Sequence, residues 1–289
     1  MTINDLLIEG RKYLLDTKIE DIPLKVRLLV EHICNMNKFE LVINHDKSVT
    51  EEQINDFELG LEKIKNNIPI QYITNHQEFM KLNFYVDENV LIPQPDTEVL
   101  VEEVIKYAKT LPTTSSTPIK ILDLCTGSGA IAISLAKYID NCEVTATDIS
   151  SKALQIAKLN AEKNLVHTKI DFIDSDMFKN IDEKQFDIIV SNPPYIESDV
   201  ISTLSKEVQN EPHIALDGGD DGLKFYRLII KNAKNYLSEN GKIFLEIGFD
   251  QKEKLFNLIE ESKQFSNQTC IKDLSGNDRV IIFDKYPPV

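Results

Sequence analysis

The sequence is short of cysteine, of basic residues and of long apolar runs, and each shortage excludes a class of protein. Its four cysteines are scattered and show no C-x-x-C spacing, which favours free thiols in a reducing compartment over a disulfide framework or a metal site. No apolar run reaches the roughly 18 residues that a membrane span requires, and the first residues lack the basic and apolar segments of a secretion signal. We therefore predict a soluble cytoplasmic protein with no membrane partner and no bound metal.

Acidic residues outnumber basic ones by 47 to 32, which gives a formal net charge of −15. Proteins that bind nucleic acid neutralise its phosphates with clustered lysine and arginine, so this balance counts against a large nucleic-acid footprint. It leaves open a local basic patch or a protein partner. At 289 residues the chain is long for one compact unit and suits two domains.

The first part of the chain has the apolar periodicity of helices. Val26, Leu29, Val30 and Ile33 recur at the i, i+3, i+4, i+7 spacing of one helix face. The segment 50–53, Thr-x-x-Gln, matches a capping box that starts another helix. Short amphipathic helices must bury their apolar faces against each other, so residues 1–74 are predicted to form a small helical domain. Its polar surface is either a solvated face or a partner-binding one.

A change of pattern follows this helical part. Apolar residues alternate with polar ones at Leu82 and Phe84, which predicts a short hairpin within a linker over residues 75–95. Two prolines then stiffen the chain, and we expect Asp96 or Thr97 to cap the helix that starts there. The polar residues 112–118 are predicted to be a mobile connection.

The remainder, residues 96–289, alternates strands with helices. This order is typical of an α/β fold with a doubly wound, mainly parallel sheet of seven strands and helices on both faces. The last two strand-like runs are too close in sequence for a crossover helix, so an antiparallel strand is expected near the end. Strands are predicted over 119–124, 143–147, 169–173, 186–190 and 242–247, and near 269–272 and 280–283. Helices are predicted over 130–138, 150–164, 222–237 and 252–261.

The tetrapeptide Asn192-Pro193-Pro194-Tyr195 ends one of these strands. Its two prolines remove backbone donors and fix φ, so the chain must leave the sheet in a stiff, extended turn. Open α/β sheets bind their ligands at this carboxyl edge. There, the side-chain oxygen of Asn192 and the carbonyl of Pro193 could accept both hydrogens of a planar –NH2 group, while Tyr195 packs against that group. These four are the predicted catalytic residues.

A glycine-containing turn, Cys125-Thr126-Gly127-Ser128-Gly129, follows the first strand, and Asp148 lies 19 residues beyond Gly129. Glycines let the backbone approach a ligand, and a carboxylate at the next strand end suits the two hydroxyls of a ribose. This fits any adenosine cofactor. A nicotinamide enzyme prefers a third glycine where this chain has Ala132, and no Gly-Lys-Ser/Thr of a P-loop follows.

The carboxyl group of Asp123, just before this turn, favours a positively charged ligand over a pyrophosphate. S-adenosylmethionine (SAM) is therefore the predicted cofactor, and its methyl sulfonium would lie near Asn192. An amide nitrogen is a poor nucleophile, so orientation must supply much of the rate; positioning alone can contribute roughly 7–11 kcal/mol.

The chain resembles the protein-(glutamine-N5) methyltransferases of the HemK/PrmC type over nearly its whole length. Asn-Pro-Pro-Tyr alone is shared with DNA adenine and some ribosomal-RNA methyltransferases. Its combination with Ile-Pro-x-Pro-Asp-Thr-Glu at residues 92–98 is far more specific. The matching segments are 69–73, 91–98, 122–129, 191–196, 211–212, 215–216, 219–223 and 278–280.

This resemblance implies transfer of a methyl group from SAM to the glutamine of the Gly-Gly-Gln loop of peptide-chain release factors, with S-adenosylhomocysteine as product. The release factor would be gripped partly by the helical domain, and we expect a monomer. Residues 192–195 would hold the glutamine, Asp148 the ribose of SAM, and Met177 would lie beside the adenine. The complete predicted cofactor-binding set is Asp123, Cys125, Thr126, Gly127, Ser128, Gly129, Asp148, Met177 and Asn192.

Three positions depart from the family pattern. Gln94 stands where arginine is usual, Cys125 where glycine is usual, and Met177 where an aromatic residue often occurs. A small thiol can fit a tight turn, and methionine can pack on a purine.

Two other functions compete with this one. A methyltransferase for N6 of adenine or N2 of guanine could use the same tetrapeptide, but the charge of −15 counts against it. A non-catalytic SAM-binding or scaffold protein would not need an intact 192–195 motif.

Overall fold

The computed structural model describes residues 1–112, 117–182 and 185–286. The chain divides into two compact units. The helical unit comprises Met1–His76 together with Ser205–Asn210, and the sheet unit comprises Gln77–Leu204 and Glu211–Val289. The domain bounds predicted at residues 74 and 95 stay predictions. None of the helices formed by the described residues is long and apolar enough to cross a membrane.

The helical unit packs short helices around one apolar core. Val26, Leu29 and Val30 are buried in this core, as their spacing predicts. The predicted capping box is confirmed: the Thr50 hydroxyl accepts from the Gln53 amide at 3.2 Å, and the Gln53 side chain accepts from the Thr50 amide at 3.0 Å. The helices are α1 (Ile3–Leu14), α2 (Ile22–Cys34), α3 (Lys38–Ile43), α4 (Glu51–Lys65) and α5 (Ile70–Thr74).

The short segment 205–210 belongs to the helical unit although the chain around it belongs to the sheet unit. Glu207 forms an ion pair with Lys25, which is buried on helix α2. The side-chain amide of Asn210 donates to the carbonyl of Asn67 at 2.8 Å. A segment far along the sequence is therefore fastened to the helices by polar contacts that local patterns do not reveal.

The sheet unit begins with the hairpin that the alternating residues predict. Strands β1 (Gln77–Phe79) and β2 (Leu82–Phe84) pair antiparallel. The two residues between them, Met80 and Lys81, have φ of 50° and 59°, the left-handed geometry that suits a two-residue hairpin. The amide of Met80 donates to the Glu98 carboxylate at 2.6 Å.

Helix α6 (Thr97–Ala108) starts where predicted, but the expected cap is wrong. Asp96 occupies the N-cap position and makes no side-chain capping hydrogen bond. Its carboxylate instead pairs with Arg279 at 3.1 Å, and the Thr97 hydroxyl accepts from Asn192 at 3.2 Å. The side chains of Asp96 and Thr97 therefore bind residues far along the sequence and do not cap the helix.

The main sheet has seven strands among the described residues, in the order β5-β4-β3-β6-β7-β9-β8, with β9 antiparallel to both neighbours. This confirms the predicted fold class and the antiparallel strand. The strands are β3 (Ile119–Leu124), β4 (Cys142–Asp148), β5 (Ile170–Asp174), β6 (Phe186–Ser191), β7 (Leu237–Glu246), β8 (Phe265–Lys272) and β9 (Asp278–Lys285).

The helices of this unit are α7 (Ala130–Tyr138), α8 (Ser151–Lys163), α9 (His213–Leu216), α10 (Lys224–Asn232) and α11 (Lys252–Ser262). The helix predicted over 222–237 is wrong at its end: α10 stops at Asn232, a 3-10 turn over Ala233–Asn235 follows, and strand β7 begins at Leu237. The amide of Phe186 donates to the carbonyl of Tyr236 at 2.7 Å, and Leu237 pairs with Phe186, so these residues join the sheet. The predicted mobile connection falls largely on residues outside the described ones.

The strand order places a switch point between β3 and β6. The chain runs outward from β3 through β4 to β5 on one side, and from β6 to β7 on the other. Loops that leave neighbouring strands in opposite directions open a crevice at the carboxyl edge, where such sheets bind ligands. The predicted site residues follow these strands.

Candidate active site

Two loops begin side by side at this switch point. Leu124 of β3 pairs with Ser191 of β6, and the Ser191 hydroxyl donates to the Leu124 carbonyl at 2.7 Å. The glycine turn, residues 125–129, leaves from Leu124, and the proline elbow, residues 192–195, leaves from Ser191. The structure thus brings together the two motifs that the sequence keeps more than sixty residues apart.

The glycine turn is built on left-handed backbone. Cys125, Gly127 and Gly129 have φ of 60°, 54° and 82°. A Cβ on Gly129 would lie 2.8 Å from the side chain of Ile133, whereas a Cβ on Gly127 would meet nothing within 4 Å. Gly129 is therefore required for close packing, and Gly127 faces open space where a ligand could approach. The left-handed φ of Cys125 is one that glycine adopts more readily than a residue with a side chain.

Asp123 carries a buried carboxyl group behind the turn. Its Oδ2 accepts from the Thr126 hydroxyl at 2.6 Å, while Oδ1 has no hydrogen-bond partner among the residues that the structure describes. Burial raises the pKa of Asp123 to about 7, and the nearby Asp148 adds to this shift. An unpartnered buried oxygen is costly, so it suits a site that a positively charged or hydrogen-donating ligand completes.

Asp148, at the end of β4, holds the glycine turn. Its Oδ2 accepts from the Gly127 amide at 2.8 Å, and its Oδ1 accepts from the Ser150 amide at 2.9 Å. Burial raises the pKa of Asp148 in spite of these hydrogen bonds, and Asp174 adds to the rise. A carboxylate has about four lone pairs to offer, so the group can still accept from a hydroxyl of a diol.

Two of the departures from the family pattern touch each other. The sulfur of Cys125 lies 3.7 Å from the sulfur of Met177. Met177 is buried, has a left-handed φ of 53°, and its carbonyl accepts from the Ser175 hydroxyl at 2.8 Å. Burial raises the pKa of the Cys125 thiol well above its usual range, so it stays a neutral packing group.

Asn160 is a site residue that sequence reasoning missed. It is fully buried on helix α8, and its Nδ2 donates to the carbonyl of Ser128 at 2.9 Å. Its Oδ1 accepts from the Tyr85 amide at 2.7 Å, and its Nδ2 also donates to the Tyr85 carbonyl. It therefore ties the glycine turn to the segment after β2. The available signal was an asparagine on the buried face of the helix, between Ala157 and Ala161.

The proline elbow presents two hydrogen-bond acceptors. Pro193 and Pro194 are buried and Asn192 is half-buried. The Nδ2 of Asn192 donates to the Thr97 hydroxyl at 3.2 Å. Among the described residues, neither Oδ1 of Asn192 nor the carbonyl oxygen of Pro193 accepts a hydrogen bond. These two oxygens can accept both hydrogens of a planar –NH2 group.

Distant segments clamp the far end of the elbow. The side-chain amide of Gln251, next to helix α11, donates to the Tyr195 carbonyl at 2.8 Å. Gly218 and Gly222 lie close to the same residue. A Cβ on Gly218 would lie 2.7 Å from the Cα of Tyr195, and one on Gly222 would lie 2.4 Å from the carbonyl oxygen of Tyr195. The Ile196 amide donates to the Leu216 carbonyl at 3.0 Å. The glycines of segment 218–222 thus allow close contact with the elbow.

A buried polar cluster lies behind the elbow. The Tyr195 hydroxyl donates to Oε1 of Glu246 at 3.4 Å, and Glu246 is 2% exposed at the end of β7. Burial raises the pKa of Glu246 to about 7, although the Thr97 hydroxyl and the Arg279 guanidinium oppose that rise. Burial also raises the pKa of Tyr195 well above its usual range. Sequence reasoning did not identify Glu246, because a lone acid at a strand end carries no motif.

Two family descriptions match this chain. Residues 5–74 match the PrmC N-terminal domain, and residues 105–213 match the methyltransferase small domain. The first falls within the helical unit, and the second includes both the glycine turn and the proline elbow.

Proteins with full-length similarity carry one recurrent name. The release factor glutamine methyltransferase of Clostridium botulinum is 38% identical over 289 residues, which covers 99% of this chain and 100% of that protein. The protein of the same name from Thermodesulfovibrio yellowstonii is 40% identical over 89% of this chain and 90% of its own length. A bifunctional methyltransferase of Rickettsia felis is 39% identical over 98% of this chain, which spans only 58% of that relative.

Solved structures share the fold at low identity. The catalytic domain of human METTL16 matches with a TM-score of 0.58 and 16% identity over 78% of this chain and 82% of that domain. A methyltransferase from Pyrococcus furiosus matches with a TM-score of 0.52 and 22% identity over 73% of this chain and 91% of its own. The sheet unit is thus a Rossmann-like methyltransferase fold. Because it is 38% identical to the Clostridium botulinum protein over 99% of its length and has a matching N-terminal domain, this chain belongs to the release factor glutamine methyltransferase family.

Proposed function

We propose that this protein transfers a methyl group from SAM to the side-chain amide nitrogen of the glutamine in the Gly-Gly-Gln motif of peptide-chain release factors. The observation that carries the proposal is the pair of free acceptors at the proline elbow, Oδ1 of Asn192 and the carbonyl oxygen of Pro193. A primary amide nitrogen has two hydrogens to donate, so this pair fits it in number and in kind. The family relationship supports a glutamine as the group that brings this nitrogen.

The glycine turn and its acids fit SAM. The unpartnered Oδ1 of Asp123 suits a positively charged ligand, and the open space at Gly127 admits one. Asp148 would hold the ribose, and Met177 would pack beside the adenine. When bound, SAM supplies a methyl carbon made electrophilic by the neighbouring sulfonium. The other residues proposed to contact it are Cys125, Thr126, Ser128, Gly129 and Asn192.

The residues of the elbow act by orientation. Asn192 and Pro193 each accept one N–H of the substrate amide, which turns the nitrogen lone pair toward the site of the cofactor. Pro193 and Pro194 fix the backbone so that these acceptors need no rearrangement. Tyr195 is proposed to pack against the flat amide. The nitrogen would gain the methyl carbon as the carbon–sulfur bond of SAM breaks, which would leave the sulfur neutral in S-adenosylhomocysteine. It would then release one of its two protons to water, and the hydrogen bond to Asn192 or Pro193 would hold that proton until its release.

The helical unit is proposed to contact the release factor. Helix α3 exposes three large apolar side chains, Phe39, Val42 and Ile43, each more than two-thirds exposed. Such a patch on a short helix is typical of a surface that a partner covers. We further propose that the protein is a cytoplasmic monomer without a direct nucleic-acid or membrane partner.

A methyl-transfer assay with radiolabelled SAM tests this function. The protein is offered a release factor, the same release factor with the Gly-Gly-Gln glutamine replaced by alanine, total RNA and DNA. We expect label on the first substrate alone, and mass spectrometry should place one methyl group on that glutamine. Label on nucleic acid, or equal label on both release factors, would contradict the proposal.

A further inference from the structure

A hydrogen bond behind the proline elbow decides which end of the Asn192 amide faces outward. The two ends of an asparagine side chain have similar shapes and opposite hydrogen-bonding properties. Nδ2 of Asn192 donates to the hydroxyl of Thr97, the first residue of helix α6, which is 4% exposed. This contact turns the nitrogen inward and leaves Oδ1 free to accept.

Glu246 extends this contact into the interior. The Thr97 hydroxyl interacts with the Glu246 carboxyl group and stabilises its ionised form. A hydroxyl has a single hydrogen, so one that donates to a carboxylate keeps its lone pairs for an incoming N–H. With the hydrogen of the Thr97 hydroxyl assigned to Glu246, the interaction has a direction, from the Asn192 amide through the Thr97 hydroxyl to Glu246. The side chains involved, which we call the orienting chain, are Asn192, Thr97 and Glu246.

We propose that Thr97 and Glu246 are positioning residues that hold the Asn192 side chain with Oδ1 toward the substrate nitrogen. This inference rests on the proposed function, because it takes an –NH2 group as the ligand of the elbow. Without the orienting chain, the Asn192 side-chain amide can rotate by half a turn and present its N–H groups to the N–H groups of the substrate. Two N–H groups that face each other cannot form a hydrogen bond, so the substrate nitrogen is no longer held and its lone pair turns away from the methyl carbon.

The surroundings of Glu246 make the chain sensitive to pH. The groups that face its carboxyl are the Tyr195 hydroxyl at 3.4 Å, the Arg279 guanidinium and the Asp96 carboxylate, and Tyr226 donates to its carbonyl at 2.8 Å. Its Oε2 has no hydrogen-bond partner among the described residues. Burial raises the pKa of the Glu246 carboxyl group to about 7. Near neutral pH this group therefore changes from a hydrogen-bond acceptor to a possible donor.

Protonation of Glu246 weakens the orienting chain. In the proposed arrangement the carboxylate accepts the hydrogen of the Thr97 hydroxyl, whereas the carboxylic acid can donate to that hydroxyl and compete with Asn192 for its lone pairs. The turnover number should therefore rise as pH increases through about 7, the pKa of Glu246. Asp123 also has a pKa of about 7, so the Glu246→Gln variant is needed to separate the two groups.

Three variants test the chain. Thr97→Val removes the hydroxyl at nearly constant shape, Thr97→Ser retains it, and Glu246→Gln cannot ionise. The matched control is Thr145→Val, which alters a buried threonine of strand β4 that is not part of the orienting chain. For each, kcat and KM for the release factor are measured at saturating SAM across neutral pH, with SAM affinity and thermal unfolding measured in parallel.

We expect Thr97→Val to lower kcat about 100-fold while KM changes by no more than about threefold. Thr97→Ser and Thr145→Val should keep kcat within about threefold of the wild type. Glu246→Gln should flatten the rise of kcat around neutral pH. SAM affinity should stay unchanged in all four.

Wild-type kcat in Thr97→Val, or a Thr97→Ser variant as slow as Thr97→Val, would overturn the inference. A joint loss of SAM affinity and turnover in Thr97→Val would also overturn it, because Thr97 would then support the fold and not the orientation of the Asn192 side-chain amide. A wild-type protein that fails to methylate release factor contradicts the proposed function itself, and that result is read before any variant is compared.

Discussion

The glycine turn and the proline elbow start from paired residues yet are held in different ways. The turn is held mainly through its backbone: the Gly129 amide donates to the Thr126 carbonyl at 2.9 Å within the turn, and the Thr126 amide donates to the Thr147 carbonyl of the adjacent strand β4 at 2.9 Å. The elbow has a stiff backbone of its own, but its side chains and far end are fixed by Thr97 and Gln251, which lie 95 and 56 residues away.

This difference assigns separate tasks to two neighbouring loops. A turn with left-handed residues and open space fits a cofactor of fixed structure. An elbow whose acceptors are oriented from behind fits a substrate group that must be aimed. Changes to the turn should therefore alter cofactor affinity, and changes to the elbow or its supports should alter turnover. Each prediction below tests that separation.

The largest effect is expected from Asn192→Ala. Removal of one preorganised hydrogen-bonding group at a reacting centre lowers turnover by about 10³-fold. SAM affinity should stay within several-fold, since the glycine turn is untouched. The measurements are kcat for release-factor methylation and the SAM dissociation constant by calorimetry. If both fall together, Asn192 serves mainly the cofactor or the fold.

Asp148→Ala should show the opposite pattern. It removes the carboxylate that holds the Gly127 and Ser150 amides and is proposed to accept from the ribose. We expect the SAM dissociation constant to rise about 100-fold, the loss of one or two hydrogen bonds to a charged group. At saturating SAM, kcat should fall only several-fold. An unchanged dissociation constant would remove Asp148 from the cofactor site.

A matched pair of glycine substitutions separates backbone strain from pressure on the elbow. Gly222 and Gly276 both have left-handed φ, of 70° and 87°. A Cβ at Gly222 would lie 2.4 Å from the Tyr195 oxygen, whereas one at Gly276 would meet nothing within 4 Å. Gly276→Ala should cost about 1 kcal/mol of unfolding free energy, and Gly222→Ala should cost about 2 kcal/mol more.

The same pair should differ in activity. Gly222→Ala should also lower kcat because it moves Tyr195, while Gly276→Ala should leave kcat unchanged. Denaturant unfolding and steady-state kinetics measure the two effects. Equal losses of stability in the two variants would mean that the contact between Gly222 and the elbow is relieved at no cost.

The smallest effect is expected in the pH dependence of stability. Burial raises the pKa of Glu246 from 4.5 to about 7. Between these values the folded state keeps a proton that the unfolded state has lost, so the free energy of unfolding falls as pH rises and levels off above about 7. Glu246→Gln should make this fall shallower, and the remaining slope should include Asp123 and Asp148, which shift in the same direction. An unchanged slope would mean that Glu246 is ionised throughout that range.

Sequence patterns could predict the parts of the site that depend on short-range rules. The turn 125–129 follows a buried strand, and Asp148 ends the next one, so periodicity and glycine spacing place both. The proline elbow is equally readable, because two prolines force the chain out of the sheet wherever they occur. These features require no knowledge of which segments meet in space.

The supports of the elbow could not be predicted in this way. Thr97 looks like a helix cap, but its hydroxyl binds Asn192 instead. Glu246 and Gln251 carry no motif, and only the strand order brings them behind residues 192–195. Local rules fail where a side chain has a long-range partner, and such failures are expected at functional sites.

The most direct measurement is a crystal structure of the protein bound to S-adenosylhomocysteine and the release factor. We predict that Oδ1 of Asn192 and the carbonyl oxygen of Pro193 both lie about 3 Å from the glutamine side-chain nitrogen, with the Asn192 nitrogen still on Thr97. A glutamine bound away from these two oxygens, or an Asn192 amide with its nitrogen turned toward the substrate, would contradict the account.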